Sequence, residues 1–282
     1  MEFNLTKVQF NVLIASIIGD GEITKIHPKS RRRNNSYREH YGTEQKDYRE
    51  WKISFLPELL YITPKSNSVR SASLPLFTQL FPYFYFNKTK ILPIQLLQWC
   101  SLPHFLSILY MDDGSLSIPH RINHKNKKIY LLPHIYLYLQ CYKESELIIL
   151  KEHIFSTFGI VFNLSRRKDG HGFVLKTTSV KETFNFLNII FPVTQNCSSM
   201  FYKTNWNYRF DLEKNKWNKK YPCYEIIESS SYRNKKYTEA EIKSLLNYKM
   251  NGLADKKIAE KLNRSYWSVV YKIRELKDMK LL

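Results

Sequence analysis

Two apolar helical runs end on an acid followed by glycine, and they stand 93 residues apart. The first is Leu13-Ile14-Ala15-Ser16-Ile17-Ile18-Gly19-Asp20-Gly21; the second is Leu106-Ser107-Ile108-Leu109-Tyr110-Met111-Asp112-Asp113-Gly114. Such an echo predicts two related halves. Each end sets a carboxylate at the negative pole of a helix, a placement disfavoured by a few tenths to ~1 kcal/mol. Asp-Gly alone is an ordinary turn. Two equivalent copies, in a chain with 44 Lys and Arg against 25 Asp and Glu, call for something cationic to offset them. Ala15, Ser16 and Gly19 form a small-residue stripe along which a second helix can approach closely. Side by side, the two helices would bring Asp20 and Asp113 together, with Asp112 adjacent, as hard oxygen ligands suited to Mg²⁺. Gly21 is expected to supply a left-handed cap.

The net charge of +19 is a single-sign field that implies a polyanionic partner, with nucleic acid first. Membrane association lacks a basic amphipathic helix or lipidation signal, and the most apolar stretch, Ile94 to Met111, is interrupted by Gln95, Gln98, Ser101, Pro103 and His104. No export signal is read at the start. Cys100, Cys141, Cys197 and Cys223 lie 41, 56 and 26 residues apart, which matches neither a metal knuckle nor a disulfide framework. Reduced thiols in an intracellular compartment are expected. His120, Asn123 and His124 lack the spacing of a histidine-metal nuclease, and no nucleophile elbow or Gly-rich phosphate loop is present.

The texture divides the chain into residues 1–98, 99–205, 206–236 and 237–282. Helices are predicted near 46–60, 74–84, 144–158 and 180–190. Residues 206–236, with Glu213-Lys214-Asn215-Lys216-Trp217-Asn218-Lys219-Lys220 and Ser229-Ser230-Ser231, read as a polar, basic linker. From Tyr237 a trihelical module is expected: Thr238 and Glu241 form a capping box, Asn251-Gly252 stops the first helix, and Ser265 caps the third. In that helix Val269, Ile273 and Leu276 share one face, with Trp267, Tyr271 and Arg274 opposite.

In His134-Ile135-Tyr136-Leu137-Tyr138-Leu139-Gln140-Cys141 apolar and hydrogen-bonding residues alternate, the pattern of a strand with one buried and one open face. Lys25, His27, Lys29, Arg31 and Arg33 also recur every second residue, although Pro28 weakens a strand there. Arg38 and His40 follow on a further candidate strand. A two-stranded ribbon fits the major groove. Lys25, Lys29, Arg31, Arg33, Arg38 and His40, with Tyr136, Tyr138 and Gln140, are therefore candidate base readers. Arg121, Lys125, Lys128, Arg166, Arg167 and Lys168 equally suit phosphate contacts.

Both acid-Gly segments resemble the LAGLIDADG motif of homing endonucleases, in its single-chain form with two motifs. Tyr48, Trp51 and Lys52, Lys90-Ile91-Leu92-Pro93 and Met200-Phe201-Tyr202-Lys203 resemble further segments of that family, so the likeness spans roughly residues 8 to 205. The first motif departs from the name sequence at Ile14, Ser16 and Ile18. The resemblance implies an α+β fold of two pseudo-twofold αββαββα halves forming a DNA saddle. It also implies metal-binding acids at Asp20 and Asp113, with Gly19 and Asp112 beside them, and basic catalytic partners at Lys90 and Lys203. Mg²⁺ is the cofactor implied, with Mn²⁺ substituting and Ca²⁺ binding without cleavage. The expected function is site-specific double-strand cleavage of DNA by a monomer with a long target, promoting intron or mobile-element homing. The alternatives are an RNA maturase acting on intron RNA and a non-catalytic DNA-binding regulator. The terminal module resembles a helix-turn-helix or Myb-like domain through residues 258–265; a protein-binding trihelical domain is its alternative.

Overall fold

The computed structural model describes residues 3–167, 169–228, 237–264, 266–279 and 281–282; Lys168, Ser265 and the side chain of Trp267 lie outside the described set. The chain forms two compact units, Met1–Ser231 and Tyr232–Leu282. In the first, α1 (Lys7–Ile18), β1 (Glu22–Thr24), β2 (Ser36–His40), α2 (Lys46–Ile53), β3 (Tyr61–Thr63), β4 (Ser68–Arg70) and α3 (Pro75–Phe84) make one half. The short β5 (Tyr85–Phe86), β6 (Thr89–Lys90) and α4 (Ile94–Leu97) lead into the next. There α5 (Pro103–Asp113), β7 (Gly114–Ser117), β8 (His120–Asn123), β9 (Lys128–Leu131), β10 (His134–Leu137), α6 (Glu144–Phe158), β11 (Phe162–Arg166), β12 (Phe173–Thr177) and α7 (Val180–Thr194) follow. The unit closes with α8 (Phe201–Thr204), α9 (Trp206–Lys220) and β13 (Glu225–Glu228).

The halves repeat each other strand for strand. One sheet runs β1-β2-β4-β3 and the other β7-β10-β12-β11, so both are αββαββα and the second carries the β8–β9 hairpin as an insertion. Helices α1 and α5 pack together between them. An ordinary surface helix buries one stripe, yet α1 buries every residue from Phe10 to Ile18 and α5 every residue from Phe105 to Met111. This is why neither helix is amphipathic in sequence. The polar members cost little: the hydroxyls of Ser16 and Ser107 donate to the carbonyls of Val12 and Pro103 four residues back. Asn11 joins the helix starts, donating to the Trp99 carbonyl at 3.1 Å and accepting from the Leu102 N–H at 3.0 Å.

The small-residue stripe brings the helix ends into contact. A Cβ built on Gly19 would lie 2.8 Å from Cβ of Asp112, closer than real side chains come. Gly19→Ala is therefore expected to cost about 1–3 kcal/mol by overpacking, lowering the melting temperature by several degrees in a thermal scan; an unchanged melt would show that the helices can move apart freely.

Three sequence expectations change. Gly21 is not a left-handed cap; among the described glycines only Gly159, Gly170, Gly172 and Gly252 have positive φ, and Gly21 instead abuts the Tyr37 ring where a side chain would collide. Residues 25–35 form no strand, so the parity of Lys25, Lys29, Arg31 and Arg33 describes an exposed basic connection between β1 and β2. The polar linker is largely structured, because α9 and β13 bury Trp217 against Ile129 and Leu131; its residues 229–236 lie outside the described set.

The second unit contains α10 (Glu239–Met250), α11 (Asp255–Lys261) and α12 (Tyr266–Asp278). Leu245, Ile258, Ala259, Val269, Ile273 and Leu276 form its core. The Thr238–Glu241 capping box is present, and Gly252 takes φ +74° after α10. Tyr271 is exposed at 62%.

Candidate active site and DNA-facing surface

The motif helices deliver Asp20 and Asp113 to the same end of their seam, where two lysines from outside the helices meet them. The Lys90 ammonium donates to the carbonyls of Gly19 at 2.9 Å and Gly21 at 3.0 Å, straddling Asp20. Lys203 donates to the Met111 carbonyl at 2.9 Å. The Tyr142 hydroxyl caps the Ile18 carbonyl at 2.7 Å, and Tyr110 donates to the carbonyl of Lys203 at 2.8 Å. The orphan carbonyls that end an α-helix thus become the anchor points of both lysines. Burial depresses the pKa of each lysine, and the neighbouring acids, Asp113, Asp112 and Asp20, oppose that shift.

The two acids differ. Asp20 is partly exposed and pairs with the Arg49 guanidinium at 2.6 Å. Asp113 receives no hydrogen bond or ion pair on its carboxylate among the described residues. Burial, followed by the charges of Asp20 and Asp112, pushes its pKa up to about 7, against the pull of Lys90 and Lys203. A carboxyl held there by burial and repulsion gains from a divalent cation, and two acids with adjacent backbone carbonyls are hard oxygen donors. The residues fit such a metal. Asp113 must lose its proton to bind it, so apparent metal affinity is expected to fall as pH drops through about 7. Titrating Mn²⁺ at pH 6 and pH 8 by calorimetry, with proton release near the lower value, checks this; pH-independent affinity would contradict it.

Asp112 leaves the metal set expected from sequence. Its side chain is fully buried, accepting from Tyr48 at 2.7 Å, Arg49 at 2.7 Å and Lys52 at 3.0 Å. Glu39, equally buried, pairs with Lys52 and Arg49, both at 2.7 Å, and accepts from the Tyr37 hydroxyl. Burial alone would raise Asp112, but Lys52 and Arg49 outweigh it and hold the pKa low. Oxygens of Asp20, Glu39 and Asp112 do lie within 4.8 Å of one another. The guanidinium and ammonium already fill that space, so the open carboxylates are Asp20 and Asp113. Gly19 keeps a place beside the site, its carbonyl sharing the Lys90 ammonium.

Sequence reading missed Arg49 and Glu39 altogether. Arg49 links the network to the site, since one nitrogen holds Asp20 while the other holds Glu39 and Asp112. The charged sequence of α2 offered no signal that Arg49 points inward. A cleft of about 430 Å³ opens beside Asp20, lined also by Glu22, Arg38, Tyr85 and Lys90.

The candidate readers occupy varied settings. Lys25, Lys29, Arg31, Arg33, His40, Arg121, Lys125 and Arg166 are exposed. Arg38 pairs with Glu22 and stands in register with Arg70, a basic residue not anticipated. Tyr136 and Tyr138 stack at 6.0 Å, and Lys176, also not anticipated, lies over the Tyr136 ring at 5.4 Å. Alternating burial persists through Leu139, with Gln140 half-buried and Cys141 exposed. Lys128 pairs with Glu225 and Arg167 with Asp169. In the second unit Tyr271 and Arg274 are exposed, while Lys168 and the Trp267 side chain fall outside the described residues.

A duplicated α+β scaffold with paired acids and lysines at the seam of two buried helices, in a strongly basic chain, defines a protein built to meet a polyanion. Residues 10–184 match the model of the LAGLIDADG DNA endonuclease family, and the chain belongs to that family. Its fold is similar to that of the homing endonuclease I-WcaI bound to its DNA recognition sequence, at 20% identity and TM-score 0.52, covering 67% of this chain and 83% of that one. The I-LtrWI LAGLIDADG homing endonuclease bound to target DNA aligns at 11% identity and TM-score 0.44, covering 75% and 92%. The N-terminal LAGLIDADG domain of DUF199/WhiA aligns at 15% identity and TM-score 0.36, covering 67% and 86%. No curated protein matches the sequence. No described helix is long and apolar enough to cross a membrane.

Proposed function

We propose that the chain is a site-specific, Mg²⁺-dependent endonuclease that breaks both strands of a long DNA target and so supports homing of an intron or other mobile element. The observation that carries this reading is the pairing of Asp20 and Asp113 at one end of the α1–α5 seam, each with a half-buried lysine anchored to its helix terminus. Asp20, Asp113 and the Gly19 carbonyl would hold the metal, with Mn²⁺ able to replace Mg²⁺ and Ca²⁺ binding without supporting cleavage. Bound there, a divalent cation neutralises phosphate charge and acidifies water.

The chain's own groups supply the rest. Lys90 fixes the backbone on both sides of Asp20, Lys203 fixes the approach to Asp113, and both ammonium groups place positive charge where phosphoryl negative charge develops. Arg49 holds the Asp20 carboxylate in one orientation. The two sheets, with Arg38, Arg70, Tyr136 and Lys176 on their open faces, supply groove contacts, and the exposed basic residues supply phosphate contacts that set register. The second unit adds a DNA contact through Tyr271 and Arg274. The chain acts as a monomer, since it contains both halves, and works in a reducing compartment with its four thiols free.

A randomised duplex library incubated with the chain and Mg²⁺ tests the proposal. Sequencing of the ends should reveal one family of sites cut on both strands with short 3′ overhangs; a library left intact in Mg²⁺ and Mn²⁺ alike would refute catalysis.

A further inference from the structure

The second half carries a structure that the first half lacks. Where β1 and β2 are joined by an irregular connection, β7 and β10 are joined by the β8–β9 hairpin, and β13 adds to that hairpin in parallel as a third strand. Ile122, Ile129 and Ile226 stand in register across the three strands. With Leu131 they face α9, whose Trp217 is 6% exposed and packs with Trp206 and Phe210. The hairpin's turn is clasped as well. His124 hydrogen-bonds the Tyr224 hydroxyl at 3.0 Å, the His120 ring lies 4.2 Å from that of Trp217, and the Glu225 N–H donates to the Lys127 carbonyl at 2.9 Å. Trp206 Nε1 donates to Glu228 at 2.8 Å, tying the start of α9 to the end of β13.

Strands alternate their side chains between faces, so closing one face with α9 assigns the other. Arg121, Tyr130 and Ile227 stand in register on it, beside Asn123, Lys128 and Glu225. Residues 120–131 contain Arg121, Lys125, Lys127 and Lys128 and no acid. An isolated two-stranded hairpin is marginal in water, and ordering a loose basic loop on binding costs affinity. The brace removes that cost in advance.

We infer that residues 206–228 belong to the DNA-reading apparatus: α9 and β13 hold the β8–β9 hairpin as a rigid ribbon whose open face reads the outer part of the second half-site. This rests on the DNA-binding reading above. Arg121 lies eight residues beyond Asp113 along the chain, up to about 26 Å at the strand rise, which corresponds to at most about eight base pairs of duplex. Trp217 is a positioning residue, and Arg121 is a specificity residue.

The test selects bound duplexes from a random library in Ca²⁺ with the full chain, with Arg121→Ala and with Trp217→Ala. The full chain should enrich one consensus. Both variants should keep its central positions and lose base preference in the same block about six to eight pairs from the cut on one side, with roughly tenfold weaker binding to the full consensus, the size of one lost base contact. Thermal melts identify an unfolded Trp217→Ala; Arg121, exposed and outside the core, then decides alone. Preference retained in Arg121→Ala, or lost uniformly along the site in that variant, overturns the assignment. Failure of the full chain to enrich any duplex overturns the DNA-binding reading itself, and this inference with it.

Discussion

Asp20→Asn and Asp113→Asn are each expected to abolish double-strand cleavage while leaving target binding largely intact. Removing one anionic ligand weakens the metal that offsets phosphate charge, and metal-assisted charge stabilisation is worth several kcal/mol. A loss of at least about 10³-fold, roughly 4 kcal/mol, is the expected scale. The variants should part company in stability. Asp113 is buried and repelled by Asp20 and Asp112, with a pKa raised to about 7. A raised carboxyl pKa means that the folded chain binds more protons than the unfolded chain between about pH 4 and 7, so stability falls as pH rises through that window. At pH 8 Asp113→Asn removes an unfavourable charge and should raise the melting temperature in the absence of metal, a gain in stability at the expense of activity. Asp20→Asn instead strips the buried Arg49 of one partner and should lower it. Cleavage retained by either variant, or equal melts for both, would remove the acids from the roles given to them.

Lys52→Met is expected to be the most destabilising change. It leaves the buried carboxylates of Glu39 and Asp112 sharing Arg49 as their one remaining cation within ion-pair reach among the described residues. Breaking a buried ion pair from one side typically costs about 3–5 kcal/mol, which in a chain of this size lowers the melting temperature by on the order of 10 °C. The loss should shrink as pH falls. In the native chain Asp112 has a depressed pKa, so its stabilisation is present above the unfolded carboxylate pKa and lost only as pH drops through the folded one. In Lys52→Met, Asp112 loses the cation that does most to hold its pKa low and becomes neutral earlier, so the gap between variant and native chain should narrow from pH 8 to pH 5. A loss under about 1 kcal/mol that does not vary with pH would mean that the network contributes little.

The legible parts of this molecule are those whose chemistry is anomalous in one dimension. An acid at the negative end of an apolar helix is conspicuous without any neighbour, and finding it twice located both the seam and its site. The halves and the helices at 144–158 and 75–84 followed from apolar periodicity. Arg49 and Lys52 did not, because α2 reads as an ordinary charged surface helix. Their partners Glu39, Asp112 and Asp20 come from three other elements, so only the tertiary structure shows that the cations point inward. Residues 206–228 were masked by composition. Lysine and asparagine dominate the count there, yet Trp206, Phe210, Trp217 and Tyr221 recur on one helical side, and that spacing was the signal for a packed helix. Between Lys25 and Arg33 the error ran the other way: alternation in a basic loop, interrupted by Pro28, imitated a strand.

The most direct measurement is the position of Mn²⁺, found by anomalous scattering in crystals of the chain with its selected duplex. Density is expected within bonding distance of carboxylate oxygens of both Asp20 and Asp113, with Arg49 and Lys52 still holding Glu39 and Asp112. Metal seated on Glu39 and Asp112 instead, or bound with neither motif acid in reach, would contradict it.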